Sequence, residues 1–106
     1  MPRYLIQGSY STDGIKGVLK EGGTGRRKAV EAAVHAMGGR LEAFYFAFGD
    51  DDVVAIVEAP DNVSAATFSM GVASTGTVRT KTTVLLTPEE IDQAGKKTLA
   101  FRAAGQ

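Results

Sequence analysis

At 106 residues the chain is the size of one domain, and its 43% apolar content is enough for a core. Twelve basic and twelve acidic residues cancel, so no global field favours nucleic acid or an anionic membrane. The absence of cysteine excludes disulfides, thiolate metal sites and a cysteine nucleophile. No apolar run has the length of a signal peptide or a membrane span, so a cytoplasmic protein is expected.

Tyr4 to Ser11 is rich in β-formers and ends at Thr12-Asp13-Gly14, which predicts strand one. Ile15 to Lys20 predicts a short helical turn interrupted by Gly22-Gly23, with Thr24 as the N-cap of a helix to about Met37. Its apolar positions Val30, Ala33, Val34 and Met37 keep helical spacing, and Gly38-Gly39 stops it. Arg40 to Gly49 and Asp50 to Pro60 predict a hairpin through a Gly-Asp turn, apolar on both faces. Pro60-Asp61-Asn62 caps a second helix through about Ala73, and Val78 to Leu86 predicts strand four. Thr87-Pro88-Glu89-Glu90 is a capping box with proline at the first helical position, opening a short helix to about Lys97.

The order β-α-β-β-α-β plus a terminal helix predicts an α+β, ferredoxin-like sandwich on a four-stranded antiparallel sheet. Its core spans residues 3–87, with 88–106 as C-terminal helix and tail, all one domain. Two helices cover one sheet face and leave the other open. Strand alternation places Tyr4, Ile6, Leu41, Ala43, Tyr45, Val53, Ala55 and Val57 under the helices. It places Gln7, Glu42, Phe44, Phe46, Phe48, Val54, Ile56, Glu58, Arg79 and Lys81 on the open face. Three phenylalanines at period two form a patch that marks an interface or a ligand site. Polar groups on an apolar wall must be paired or wet, which suits a small-molecule pocket and equally a dimer seam with ion pairs at its rim.

Several stretches resemble the GYD-domain family. They are Pro2-Arg3-Tyr4-Leu5-Ile6-Gln7, Lys20-Glu21-Gly22-Gly23 with Gly25-Arg26-Arg27, Phe44 to Gly49, Asp52-Val53-Val54, Glu58-Ala59-Pro60-Asp61, Arg79-Thr80 and Leu86-Thr87. The namesake triplet keeps Gly49 and Asp52, with Asp51 where the family has tyrosine. The resemblance implies a dimeric α+β barrel, in which sheets of two subunits face each other. The wider group includes cofactor-free oxygenases, isomerases, haem enzymes and small-molecule sensors, and the GYD family itself is functionally uncharacterised.

Gln7, Phe44, Phe46, Phe48, Glu58, Arg79 and Lys81 are therefore the candidate ligand-binding set, with Glu58 and Arg79 the best candidates for proton transfer in an apolar cavity. Gly23, Thr24, Gly25, Arg26 and Arg27 form a candidate anion site, where a glycine-rich loop feeds a helix N-terminus; the plain alternative is a solvated loop with Arg27 paired to Glu31. The single histidine, His35, cannot build a two-histidine metal site, and Asp50-Asp51-Asp52 lacks the alternating spacing of a calcium loop, so neither metal nor cofactor is expected. Two functional readings stay open. One is a homo-oligomer binding a small, partly apolar molecule, with cofactor-free isomerase or oxygenase chemistry as its enzymatic version. The other is a non-catalytic interaction or sensor module whose sheet face serves only for assembly.

Overall fold

The computed structural model describes residues 1–106. It contains β1 (Arg3–Tyr10), α1 (Thr12–Ala36), β2 (Arg40–Phe46), β3 (Val53–Glu58), α2 (Asn62–Ala73), β4 (Val78–Leu85) and α3 (Pro88–Gly95). The order of elements is the expected one. The strands form one open sheet in the order β2-β3-β1-β4, with every neighbouring pair antiparallel. No helix is long and apolar enough to cross a membrane.

The core sits where the sequence pattern puts it on the two central strands. Tyr4, Ile6 and Gly8 of β1 pair with Val57, Ala55 and Val53 of β3, and all six point inward. Val34 of α1, Ala65 of α2 and Ala59 close over them, with Val30, Met37, Leu41 and Phe68 packed at the margin. The Tyr4 hydroxyl donates to Asn62 Oδ1 at the start of α2, so its burial leaves no polar atom unpaired. Asp61 caps α2, its carboxylate accepting from the Ser64 amide at 2.8 Å, and Thr87 and Glu90 form the reciprocal box at α3.

α1 keeps the expected interruption at Gly22 and departs from expectation in the extent of helix around it. Ser11 caps it by accepting from the Gly14 amide at 3.1 Å, and the chain is helical on both sides of Gly22. Only Gly22 leaves the helical region, at φ 81° and ψ 163°, which kinks the helix there; Thr24 makes no cap. Glycine is needed at that angle because a Cβ would crowd the following carbonyl. At the other end the chain turns through Gly38 (φ 85°) into Gly39, whose amide donates to the Val34 carbonyl at 2.9 Å. A Cβ on Gly39 would lie 2.2 Å from the Glu58 carbonyl oxygen, so this glycine is what lets the helix end reach the sheet.

The second departure is in β2. Leu41 pairs with Val57 and Ala43 with Ile56, so two residues of β2 span one step of β3 and Glu42 is the extra residue of a bulge. One inserted residue moves every later side chain to the opposite face. Phe44 therefore lies opposite Ala55 and Phe46 opposite Val53, both under the helices, while Tyr45 lies opposite Val54 on the open face. This corrects the placement of Phe44 and Phe46 with Gln7 and Lys81. Phe48 belongs to neither face: β2 ends at Phe46, and Phe48 stands fully exposed in the 47–52 connection. That connection is longer than a Gly-Asp turn, tied by the Ala47 amide to the Asp52 carbonyl and by the Asp52 amide to that of Gly8, both at 2.8 Å.

Candidate functional site

Between the sheet and the helices lies a cavity of about 150 Å³. Its walls are Ile6, Phe44, Val53, Ala55 and Val57 from the sheet, with Ala29, Val30, Ala33, Phe68 and Val72 from the helices. Alanines at 29, 33 and 55 leave this space where larger residues would fill it. Gly8, also in the wall, has no room to be anything else: a Cβ would meet Val53 Cγ1 at 2.8 Å and Val78 Cγ2 at 3.1 Å. Phe44 and Phe46 meet edge to face, ring centres 5.4 Å apart.

One end of the cavity is polar. Tyr10, Arg26, Thr75, Thr77 and Thr80 gather where β1 ends and β4 begins. Arg26 is the only charged side chain in the lining. It is about one-third exposed and pairs through Nη1 with Glu21 Oε1 at 3.1 Å, across the Gly22 kink. Burial pushes the Tyr10 phenol above its usual 10.0; nearby Arg26 opposes this, and Glu21 and Asp52 add to it. The phenol therefore stays protonated at neutral pH and is a hydrogen-bond donor rather than a base. Asp52 holds this corner, its Oδ2 accepting from the Tyr10 amide at 2.8 Å.

The sequence candidates distribute unevenly over this geometry. Phe44 lines the cavity, and Phe46 lies beside it under Gly23, where an added Cβ would come within 3.1 Å of the ring. Of Gly23, Thr24, Gly25, Arg26 and Arg27, only Arg26 reaches the cavity; the loop expected there is helix, and Arg27 pairs with no carboxylate. Tyr10 and the three threonines escaped sequence reasoning. Thr77 lies in the turn before β4, and the contact between that turn and the end of β1 exists only in the assembled sheet.

The open face carries two polar clusters instead of one site. At one end Glu58, its side chain only 14% exposed, meets Arg40 Nε at 2.9 Å and Arg3 Nη2 at 3.4 Å, while Glu42 meets Arg3 at 3.2 Å. The Arg40 hydrogen bond, with the charges of Arg40 and Arg3, holds the Glu58 carboxyl below its ordinary 4.5. At the other end Asp51 accepts from Gln7 Nε2 at 3.2 Å and Ser9 Oγ at 3.3 Å, and pairs with Lys81 at 3.2 Å. Glu58 lies opposite Arg3 and Arg79 opposite Ser9, six residues apart on β1. That is about 20 Å at roughly 3.3 Å per residue. Glu58 and Arg79 therefore do not form a catalytic pair within one chain. The three aspartates of the connection also part: Asp51 joins Lys81, Asp52 holds the Tyr10 amide, and no three acidic or histidine side chains converge as a metal site.

No curated protein and no solved structure matches the chain. The family model described as GYD domain matches residues 4–94, nearly the whole sequence, and the protein therefore belongs to the GYD-domain family.

Proposed function

We propose that this GYD-domain protein binds a small, mostly apolar molecule in the cavity between sheet and helices, with an anionic group directed at Arg26. The supporting observation is that a largely apolar space has a single charged side chain, Arg26, beside the protonated Tyr10 hydroxyl. An apolar enclosure with a few convergent polar groups is the usual form of a ligand site. A cavity of this size admits a benzene-sized group. The arginine supplies a charge-assisted hydrogen bond, and the phenol and threonine hydroxyls supply further donors.

The same lining favours binding over catalysis. A cofactor-free isomerase or oxygenase needs a base against the substrate, and the only groups here that exchange protons are an arginine and a phenol held protonated. A non-catalytic carrier or sensor module on a ferredoxin-like frame is the reading that uses every polar group present.

The test is NMR titration with two probes of equal shape, benzoate and benzyl alcohol. Benzoate is expected to shift the amides of Val30, Ala33, Phe44 and Phe68 saturably, and to bind about ten-fold tighter than the alcohol, a difference of about 1.4 kcal/mol. Arg26→Gln should abolish the preference while leaving the alcohol's binding intact. Unmoved amides with both probes would remove the cavity as a site.

A further inference from the structure

Building on the proposed ligand site, we infer that residues 12–21, the first part of α1, form a strap across the polar end of the cavity. It is hinged at Gly22 and latched by Glu21 to Arg26, and an anionic ligand arriving at Arg26 releases it. The strap is tied at each end to a residue of the cavity wall. At its start the Ser11 amide donates to the Thr77 carbonyl at 2.9 Å, and the Ser11 hydroxyl to the same oxygen at 3.3 Å. Gly14 lies so close to that carbonyl that a Cβ would collide with it, and the Tyr10 ring lies beside it. At the far end Glu21 Oε1 accepts from Arg26 Nη1 at 3.1 Å.

The distance between these ties matches the length of the segment. Thr77 precedes β4 at one edge of the sheet, and Gly23 rests on the Phe46 ring at the end of β2, the other edge. Three strand spacings of about 4.8 Å set those edges about 14 Å apart. Ten helical residues span about 15 Å, so residues 12–21 cross the whole end of the sheet, where Tyr10, Arg26 and Thr77 line the cavity.

Little else holds the strap. Gly14 is its only buried residue, Val18 is half-buried, and Ile15 and Leu19 stand 40% and 80% exposed. Gly22 is the one residue inside α1 outside the helical region, and a glycine there absorbs a change of angle without bending the rest of the helix. A ten-residue segment containing Gly14 and Gly17 is too short to stay helical alone in water, so a strap let go at Glu21 unwinds and exposes its amides. Arg26 is the only charged side chain of the lining, and Glu21 and a bound anion compete for it. The factor by which the latch holds the strap is therefore the factor by which it opposes the ligand, about two- to five-fold for a pair this exposed.

The test is amide hydrogen exchange of the full chain, followed by NMR, for the parent, Glu21→Gln, Arg26→Gln and the double variant, with benzoate as the probe. Glu21→Gln alone should speed exchange at Val18, Leu19, Lys20 and residue 21 about two- to five-fold, with Ile6 and Ala55 of the central strands unchanged. Arg26→Gln and the double variant should reach the same raised rate, because each removes the one latch. Saturating benzoate should raise strap exchange in the parent to that level and leave it as it is in Glu21→Gln. Unchanged strap exchange in Glu21→Gln, additive effects in the double variant, or a strap unmoved by benzoate that does shift the cavity amides would each overturn the latch. Cavity amides unmoved by benzoate would overturn the ligand's part together with the proposed function. Faster strap exchange in Glu21→Gln would then assign that failure to the ligand and not to the latch.

Discussion

Phe44→Ala and Tyr45→Ala, neighbours in β2, separate a bulged strand from a regular one. With the bulge at Glu42, Phe44 lies under the helices against Ala55 and Phe46, and Tyr45 stands 69% exposed opposite Val54. Truncating a fully buried phenylalanine costs about 3–5 kcal/mol. Phe44 is half-buried, which scales this to about 2–3 kcal/mol on the same basis. Loss of the edge-to-face contact with Phe46 adds about 0.5–1 kcal/mol. The total of about 3 kcal/mol should lower Tm by about 15 °C in a domain of this size. Tyr45→Ala should cost within about 0.5 kcal/mol in the single chain. Any larger loss should grow with protein concentration, because it would act through assembly. Urea unfolding of both variants at several concentrations measures this directly. If Tyr45→Ala proved the more damaging at every concentration, β2 would run without a bulge, and the assignment of Phe44 to the cavity wall would fall with it.

Gly39→Ala should cost about 3 kcal/mol by denaturant unfolding, since its Cβ would meet the Glu58 carbonyl at 2.2 Å. Gly49→Ala, with open space around it, should be within about 0.5 kcal/mol of the parent; equal losses at both sites would contradict this packing. Glu21→Gln frees Arg26 from its ion pair and should tighten benzoate binding about two- to five-fold, read by NMR titration, whereas weakened binding would mean that Glu21 organises the site instead of competing for it. Glu58, Asp61 and Glu90 all have carboxyls held below their ordinary 4.5, 3.8 and 4.5. Their stabilisation is present above those values and is lost as pH falls through the lower folded ones, so Tm should drop below about pH 4.5. Glu58→Gln should flatten part of that slope, and an unchanged profile would remove Glu58 as a contributor.

Much of this fold is legible in the sequence because its signals are local. The capping box at Thr87, the Asp61 cap and the Gly38-Gly39 stop each depend on residues within a turn of one another, and all three stand where the sequence puts them. The alternation in β1 and β3 is equally direct, since both strands are regular and lie at the sheet centre. The bulge is different. Leu41-Glu42-Ala43 reads as uninterrupted strand, and only the pairing with β3 shows that Glu42 is surplus. From that point period-two counting assigns each remaining residue of β2 to the wrong face, which is why Phe44 and Phe46 were expected with Gln7 and Lys81. The break expected at Gly22 is present, but its extension through Gly25 fails for another reason: glycine's helix penalty of about 1 kcal/mol per residue is small enough for neighbouring turns and packing to override at Gly23 and Gly25.

The correction to β2 divides the labour between the two faces. A regular strand would have concentrated aromatic and ionic groups on the open face and made it the natural ligand site. With Phe44 and Phe46 turned under the helices, the open face keeps Glu58 and Asp51, and both are satisfied within the chain, by Arg3 and Arg40 and by Lys81, Gln7 and Ser9. The three partners of Asp51 tie the 47–52 connection to β1 and β4. That is a positional role requiring no ligand. Carboxylates engaged in this way have little left for chemistry, whereas Arg26 at the cavity has one partially exposed partner and can exchange it for an anion. Ion pairs thus satisfy the carboxylates of one face, while on the other Arg26, held by a single exposed partner, is the one charged group at the cavity.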